Sequence, residues 1–172
     1  MTSIDLVALG IIKKSANGAS YKDFQARLKN ITKETYRKDY KTPSAFIERM
    51  WSELVEGKDL QNGVLGKYLE YLVAVTLYFE NVAPFYTYAT VPLVPNVEFD
   101  LIMYAEGSGP IALSIKTSLR ERYKQADLEA LALKTVFRHA KSYLVTLSAQ
   151  EAAVQQRKLE AGDLYALDRI VL

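Results

Sequence analysis

Two apolar runs, Val97-Glu-Phe-Asp-Leu-Ile-Met-Tyr104 and Ile111-Ala-Leu-Ser-Ile-Lys-Thr117, decide the fold of this chain of 172 residues. Both runs have the β-branched and aromatic content that is typical of strands. The turn-forming residues at 106–110 join them, so the two runs predict a β-hairpin. Because side chains alternate along a strand, pairing through this turn can bring Asp100 on the first strand close to Lys116 on the second.

Helical and extended patterns on either side of the hairpin extend the fold in both directions. The first sixty residues have mostly helical patterns, and Thr42-Pro43 is typical of a helix N-cap followed by proline. From Gly63 onward the order is helix, three strands, helix and strand. We therefore predict a mixed α/β (α+β) fold, with a helical N-terminal region at 1–60 and a core at 61–172, forming one compact domain. The predicted elements are helices over 4–13, 63–80, 120–140 and 149–161, a helical spacing of Tyr21, Phe24, Leu28 and Ile31, and strands over 85–91, 97–104, 111–117, 142–147 and 164–172.

Composition excludes several classes of protein. The chain has no cysteine, which rules out disulfide frameworks, thiol catalysis and thiolate metal sites. The N-terminus lacks the basic and apolar regions of a signal peptide. The most apolar run, Tyr68 to Phe79, is interrupted by Glu70 and is too short to span a bilayer. We expect a cytoplasmic protein that has no contact with a membrane.

Charge is unevenly distributed along the chain, although the formal net charge is only +2. Residues 71–115 contain no lysine or arginine, whereas residues 116–141 contain seven basic residues and three acidic ones. A segment with carboxylates followed by a basic segment suits a site that binds a cation and then a polyanion. A solvated helix face would give the same pattern.

Glu70 is conspicuous because its helix is apolar on almost every side, and such a helix is normally buried. An unpaired carboxylate in a buried helix is costly. Glu70 can pair with Lys67 or reach the edge of the helix. The functional interpretation is that Glu70 faces a metal site.

Asp100, the triplet Ser114-Ile115-Lys116 and the order of helices and strands resemble the PD-(D/E)XK nuclease superfamily, whose common core is α-β-β-β-α-β. In that family an acid usually stands two residues before the lysine, where this chain has Ser114. One branch of type II restriction endonucleases, the group that recognises CCGG-like sites, has Ser-x-Lys in the strand and supplies the acid from the next helix. The corresponding residue here is Glu129. The resemblance covers roughly residues 63–147.

This resemblance implies a nuclease core at 61–172 and a homodimeric type II restriction endonuclease that hydrolyses double-stranded DNA with Mg²⁺. Mn²⁺ is expected to substitute for Mg²⁺, and no nucleotide cofactor is expected. The host would be prokaryotic, and residues 1–60 would serve dimerisation or contact DNA. Asp100 and Glu129 would bind the metal, with Glu70 as an added ligand or base, and Lys116 would position the attacking water. Ser114 marks the vacated position of the acid.

The segment after the lysine resembles a second feature of that branch, a basic-acidic-basic cluster that opens the helix and enters the major groove. Arginine can make two hydrogen bonds to guanine, and glutamate can accept one from cytosine. The resemblance implies that Arg120, Glu121 and Arg122 contact bases. The alternative is an exposed helix start with local ion pairs. Further candidates for contacts to bases or phosphates are Tyr123, Lys124 and Gln125.

Two other functions fit the same residues. One is a nuclease selective for branched or damaged DNA, similar to a junction resolvase. The other is a DNA-binding module whose site has decayed, since Ser114 can mark a lost acid. His139, the only histidine, is expected to lie on the surface at the end of the long helix rather than in a catalytic site.

Overall fold

The computed structural model describes residues 5–12, 18–27, 41–57, 59–105, 107 and 109–172. The chain divides into two compact units, Met1–Ala83 and Pro84–Leu172. The helix Asn62–Phe79 belongs to the first unit. It was expected to form part of the core that begins at residue 61. The functional division at residues 60 and 61 stays a prediction.

The first unit contains α1 (Ala19–Arg27), α2 (Pro43–Val55) and α3 (Asn62–Phe79). The Thr42 hydroxyl caps α2 by accepting a hydrogen bond from the Ala45 backbone, as the Thr-Pro pair predicts. Residues Tyr68 to Thr76 of α3 are all buried, and the Tyr71 ring packs against aromatic side chains of α1. No helix in the part of the chain that the structure describes is long and apolar enough to cross a membrane.

Residues 5–12 differ from the predicted helix over 4–13. They form hydrogen-bonded turns, in which the Asp5 carboxylate accepts the backbone hydrogen bonds of Val7 and Ala8. Gly10 then adopts a φ of 72°, a left-handed conformation that interrupts an α-helix. The predicted helical positions Leu28 and Ile31 lie outside the described residues.

The second unit is built on a five-stranded sheet in the order β1-β2-β3-β4-β5. The first three strands are antiparallel, and β4 and β5 are added in parallel to β3. The predicted hairpin is therefore confirmed, as is the order helix, three strands, helix and strand. The strands are β1 (Phe85–Thr90), β2 (Glu98–Ala105), β3 (Gly109–Ile115), β4 (Lys141–Val145) and β5 (Arg169–Val171).

Two helices connect the parallel strands: α4 (Arg122–Val136) links β3 to β4, and α5 (Ala149–Glu160) links β4 to β5. The small residues Ala126 and Ala130 of α4 join strand residues such as Leu144 in one apolar cluster. Leu133, in the last turn of α4, belongs to a second cluster with apolar residues of β2 and β3. The sheet and α4 thus hold the end of β3 next to the start of the following helix.

The C-terminal strand is much shorter than predicted. Only Arg169–Val171 pairs with β4, although the sequence predicts a strand over 164–172. The reason lies on α4, where the buried Asp127 carboxylate accepts the backbone hydrogen bonds of Tyr165, Ala166 and Leu167. Those amide groups therefore have partners other than a neighbouring strand.

Candidate active site

Asp100 lies where the β2–β3 hairpin ends. The paired register runs from Ala105 opposite Gly109 to Leu101 opposite Leu113, so Asp100 is the next residue along β2. The Asp100 side chain continues the contact between the two strands beyond this register. Its Oδ2 accepts a hydrogen bond of 2.6 Å from the Ile115 backbone of β3. The position of this carboxylate is therefore fixed by the main chain of the neighbouring strand.

Lys116 follows β3 directly and reaches the same carboxylate oxygen. Its Nζ lies 2.6 Å from Asp100 Oδ2, and the two side chains are only 14% and 17% exposed. The Lys116 backbone donates to the Val145 carbonyl at 3.0 Å, which fixes the residue beside β4 as well. Strand alternation thus predicts correctly that the hairpin brings Asp100 and Lys116 together. The ammonium group is held in place before any substrate arrives.

Glu129 lies on α4 and is half-buried. Burial raises the pKa of Glu129, and the neighbouring Asp100 charge adds to that effect, while the Gln125 amide and the Lys116 charge act in the opposite direction. The Gln125 amide donates to Glu129 Oε1 at 2.7 Å. The charges of Asp100 and Lys116 both act on Glu129, so the predicted second acid lies in the electrostatic surroundings of the ion pair.

Ser114 is the residue at which the sequence resemblance predicts a vacated acid position. The residue is 6% exposed, and its hydroxyl oxygen is buried without a hydrogen-bond partner among the described residues. A buried hydroxyl without a partner is uncommon, because desolvation of such a group costs free energy. A buried hydroxyl oxygen that can accept or donate a hydrogen bond thus lies two residues before Lys116.

The donor set fits a hard divalent cation. Both hydrogen bonds to Asp100 converge on Oδ2, and none from the described residues reaches Oδ1. Glu129 likewise accepts through Oε1 only, within the described part of the chain. Mg²⁺ is commonly bound by one or two carboxylates together with water and substrate phosphates. No group of three acidic, histidine or cysteine side chains suited to a metal occurs among the described residues, so the available pair is Asp100 and Glu129.

Glu70 belongs to α3 in the first unit. It is 8% exposed and accepts a hydrogen bond of 3.0 Å from the Lys67 ammonium group. The pairing of Glu70 with Lys67 is one of the two interpretations that the sequence allows. The role of Glu70 as an added metal ligand stays a prediction.

The segment between Lys116 and α4 is anchored through the side chain and the main chain of Leu119. Leu119 is fully buried, and its backbone amide donates to the Glu151 carboxylate at 2.8 Å. The next residue, Arg120, has a φ of 25°, which a non-glycine residue adopts only when its surroundings impose it. Arg120 is exposed, directly after the buried Leu119.

Most of the predicted DNA-contacting side chains are exposed. Glu121 and Lys124 form an exposed ion pair of 2.6 Å, which lowers the pKa of Glu121. Tyr123 is the exception, because it is buried and its hydroxyl accepts a hydrogen bond from Lys158. Tyr123 is therefore a packing residue in this structure. The exposed members are Arg120, Glu121, Arg122, Lys124 and Gln125.

Sequence reasoning missed Glu151, the residue that anchors the segment before α4. Ser148 and Glu151 have the spacing of a capping box, and the Ser148 hydroxyl does accept the Glu151 backbone hydrogen bond. The box identifies Glu151 as the third residue of a helix. It does not reveal that the carboxylate extends to Leu119, which lies 32 residues earlier in the chain.

Comparisons with known proteins bear on the fold. No protein-family profile matches the chain, and no curated protein sequence matches it. The structure is similar to the restriction endonuclease PspGI in complex with its substrate DNA, with a TM-score of 0.70 and 14% identity over 97% of this chain and 80% of that one. It is also similar to the type IIP restriction endonuclease Kpn2I, with a TM-score of 0.51 and 14% identity over 81% of this chain and 52% of that one. The chain therefore has the fold of the restriction endonucleases, as the hairpin and the order of its elements predict.

Proposed function

We propose that this protein is a type II restriction endonuclease that hydrolyses double-stranded DNA at a specific site with Mg²⁺. The observation that supports this most strongly is the ion pair of Asp100 and Lys116 at the end of β3, whose two charges both act on the Glu129 carboxylate. The restriction-endonuclease fold makes the same chemistry plausible on independent grounds, and the PspGI structure contains substrate DNA. Hydrolysis of a phosphodiester needs charge stabilisation and a positioned water, which two acids and a lysine can provide.

Asp100 and Glu129 would bind the metal in this proposal, with Mn²⁺ able to replace Mg²⁺ and Glu70 as a further predicted ligand. When bound, the ion supplies positive charge that offsets the charge developing on the phosphate oxygens. Lys116 would orient the attacking water and stabilise the same developing charge, and its ion pair with Asp100 fixes the direction in which it acts. Ser114 would offer its hydroxyl oxygen to a water molecule at the position where the family has an acid.

Sequence recognition is proposed for the exposed segment that begins at Arg120. Arg120 and Arg122 would make paired hydrogen bonds to guanine, and Glu121 would accept from the amino group of cytosine. The residue combination therefore suits a G·C-containing site. Lys124 and Gln125, which are exposed, are proposed for further contacts to bases or phosphates. Two copies of the chain related by a twofold axis would cut both strands of a symmetric site.

Digestion of unmethylated phage DNA in the presence of Mg²⁺ tests this proposal. We expect discrete fragments with defined ends, and loss of cutting by at least about a hundredfold in Lys116→Ala and Glu129→Ala, since each removes a charge-stabilising or metal-binding group. Arg157→Gln changes an exposed residue of α5 and is the matched control that should keep cutting. Undiminished cutting by Lys116→Ala would contradict the proposed site, and preferential cutting of branched DNA would support a resolvase-like enzyme.

A second candidate is a DNA-binding module without catalysis. It is favoured by one observation, that a serine stands at position 114, where it can mark a lost acid. Duplex binding in a gel-shift assay, together with no cutting under Mg²⁺ or Mn²⁺, would support this candidate. Glu129→Ala would then leave binding unchanged.

A further inference from the structure

A surface cavity lies at the opposite end of β3 and β4 from Lys116. Its volume is about 360 Å³. Because β3 has seven residues and a strand rises about 3.3 Å per residue, this cavity and Lys116 are separated by roughly 20 Å. The cavity is therefore distinct from the candidate active site. Its lining residues are Gly107, Lys134, Arg138, His139, Ala140, Lys141 and Asp168.

The lining of this cavity is strongly basic. Lys134, Arg138 and Lys141 contribute three cations, and Asp168 is the only carboxylate among the lining residues that the structure describes. Asp168 pairs with Lys134 at 2.7 Å and with Lys141 at 3.1 Å. One carboxylate cannot neutralise three cations, so these described residues together carry net positive charge.

Arg138 is the lining cation best placed to meet a ligand. Its side chain is exposed and makes no hydrogen bond or ion pair with the residues that the structure describes. An arginine guanidinium presents its donors in a planar fork that matches two oxygens of a phosphate. Arg138 thus offers a guanidinium group without a partner among the described residues, whereas the two lysines of the cavity already pair with Asp168.

The frame around these cations is ordered by specific contacts. The Ser142 backbone donates to Asp168 Oδ2 at 2.8 Å, which ties the carboxylate to the start of β4. Gly107 and Gly109 both have a φ of 77°, and a Cβ atom placed on Gly107 would meet no other atom within 4 Å. The cavity therefore has open space beside Gly107.

We propose that this cavity is a binding site for a phosphate group, about 20 Å from the candidate active site along the sheet. Arg138 would bind the phosphate through its guanidinium group. Lys134 and Lys141, which pair with Asp168, would add positive charge. The phosphate has two sources, a free anion such as pyrophosphate or a DNA backbone phosphate remote from the cut. The site does not depend on the proposed nuclease activity, because none of its residues belongs to the candidate active site.

Titration of the full chain with pyrophosphate tests the site directly. We would record ¹H–¹⁵N correlation spectra with EDTA present and ionic strength held constant, so that metal binding and general screening are excluded. The expected result is a saturable shift of the Gly107 and Ala140 amide signals. Arg138→Gln should weaken the affinity by roughly tenfold, whereas Arg157→Gln, an exposed arginine outside the cavity, should leave it unchanged.

Addition of short duplex DNA to the pyrophosphate complex separates the two sources. Release of pyrophosphate with a new shift at Gly107 and Ala140 would assign the site to the DNA backbone, and retained pyrophosphate would assign it to a free anion. Wild-type spectra without a saturable shift at these amides would overturn the proposal. Equal affinity in Arg138→Gln and the wild type would overturn it as well, and the same spectra report whether each variant is folded.

Discussion

The Oδ2 atom of Asp100 receives two contacts of 2.6 Å, one from the Ile115 backbone and one from the Lys116 ammonium group. One oxygen therefore joins two strands and also holds the lysine. A local rule, the alternation of side chains along β2 and β3, is sufficient to predict this meeting from the sequence. The buried and unpartnered hydroxyl of Ser114 could not be predicted, because it depends on the packing around the strand.

Glu129→Gln is expected to stabilise the fold modestly near neutral pH. Burial holds the pKa of Glu129 above its ordinary value, so the folded chain binds this proton more tightly than the unfolded chain does. Stability from this group is therefore full below the ordinary pKa and is lost as pH rises through the raised pKa. Glutamine mimics the protonated form at every pH. Thermal unfolding of both proteins measures the difference.

The gain in Tm for Glu129→Gln should shrink as pH falls to about 4, where the wild-type carboxyl is largely protonated. Gln125→Ala serves as the control, since it removes the hydrogen-bond partner of Glu129 and keeps the carboxylate. A lower Tm for Glu129→Gln than for the wild type at neutral pH would contradict the expectation.

At the scale of elements, α4 shows how far periodicity can predict a boundary. The sequence predicts a helix over 120–140, and the structure has Arg122–Val136. The start is delayed because Arg120 takes a φ of 25° and Leu119 is anchored by Glu151. The end comes early because Phe137 leaves the helical conformation, with a φ of −116° and a ψ of 87°. Apolar spacing identifies the helix, whereas contacts with distant residues determine its ends.

Glu151→Ala should loosen the turn that precedes α4. The carboxylate accepts from the Leu119 backbone and from the Ser118 hydroxyl, so its loss leaves a buried amide without a partner, at a cost of about 1–3 kcal/mol. We expect faster hydrogen exchange at Leu119 and, under the proposed function, weaker discrimination between DNA sites. Glu160→Ala on the same helix is the matched control. Unchanged exchange at Leu119 would contradict this role.

Asp127→Ala should destabilise the second unit by about 3 kcal/mol, because three backbone amides of the C-terminal segment lose a charged acceptor. Urea unfolding followed by circular dichroism measures the change. Asp127→Asn keeps one acceptor oxygen and should lose less. Equal stability of Asp127→Ala and the wild type would show that water replaces these hydrogen bonds.

At the scale of the whole molecule, the sequence predicts the order of elements and the sheet better than the connections between distant segments. The hairpin and the β3–α4–β4 crossover follow from patterns within a few dozen residues. Asp127 and Glu151 bind amides more than thirty residues away in the chain, and a single sequence contains no signal for such pairs. The C-terminal strand was predicted too long for this reason.

Asp168 is expected to make stability depend on pH. Burial acts to raise its pKa, but hydrogen bonds from Lys134, Ser142 and Lys141 outweigh burial, and the pKa lies below the ordinary value. A lowered carboxyl pKa gives stability that is present above the unfolded pKa and is lost as pH falls through the folded pKa. Asp168→Asn should therefore cost about 1–2 kcal/mol at neutral pH.

The cost of Asp168→Asn should become small in acid, where the wild-type carboxyl is itself protonated. Denaturant unfolding at neutral and acid pH measures both values. Glu160→Gln, an exposed acid on α5, is a suitable control. A cost that is the same at both pH values would show that Asp168 acts through its shape and not through its charge.

The double use of Asp100 Oδ2 affects how an inactive protein should be made for crystallography with DNA. Removing Asp100 would also remove the acceptor of the Ile115 amide, so the resulting protein would differ from the wild type in the main chain at the end of β3, beside the proposed active site. Glu129 has no backbone partner among the described residues, and Lys116 is held through its own main chain. Substitution of Lys116 or Glu129 is therefore the better route to a trapped complex with uncut DNA.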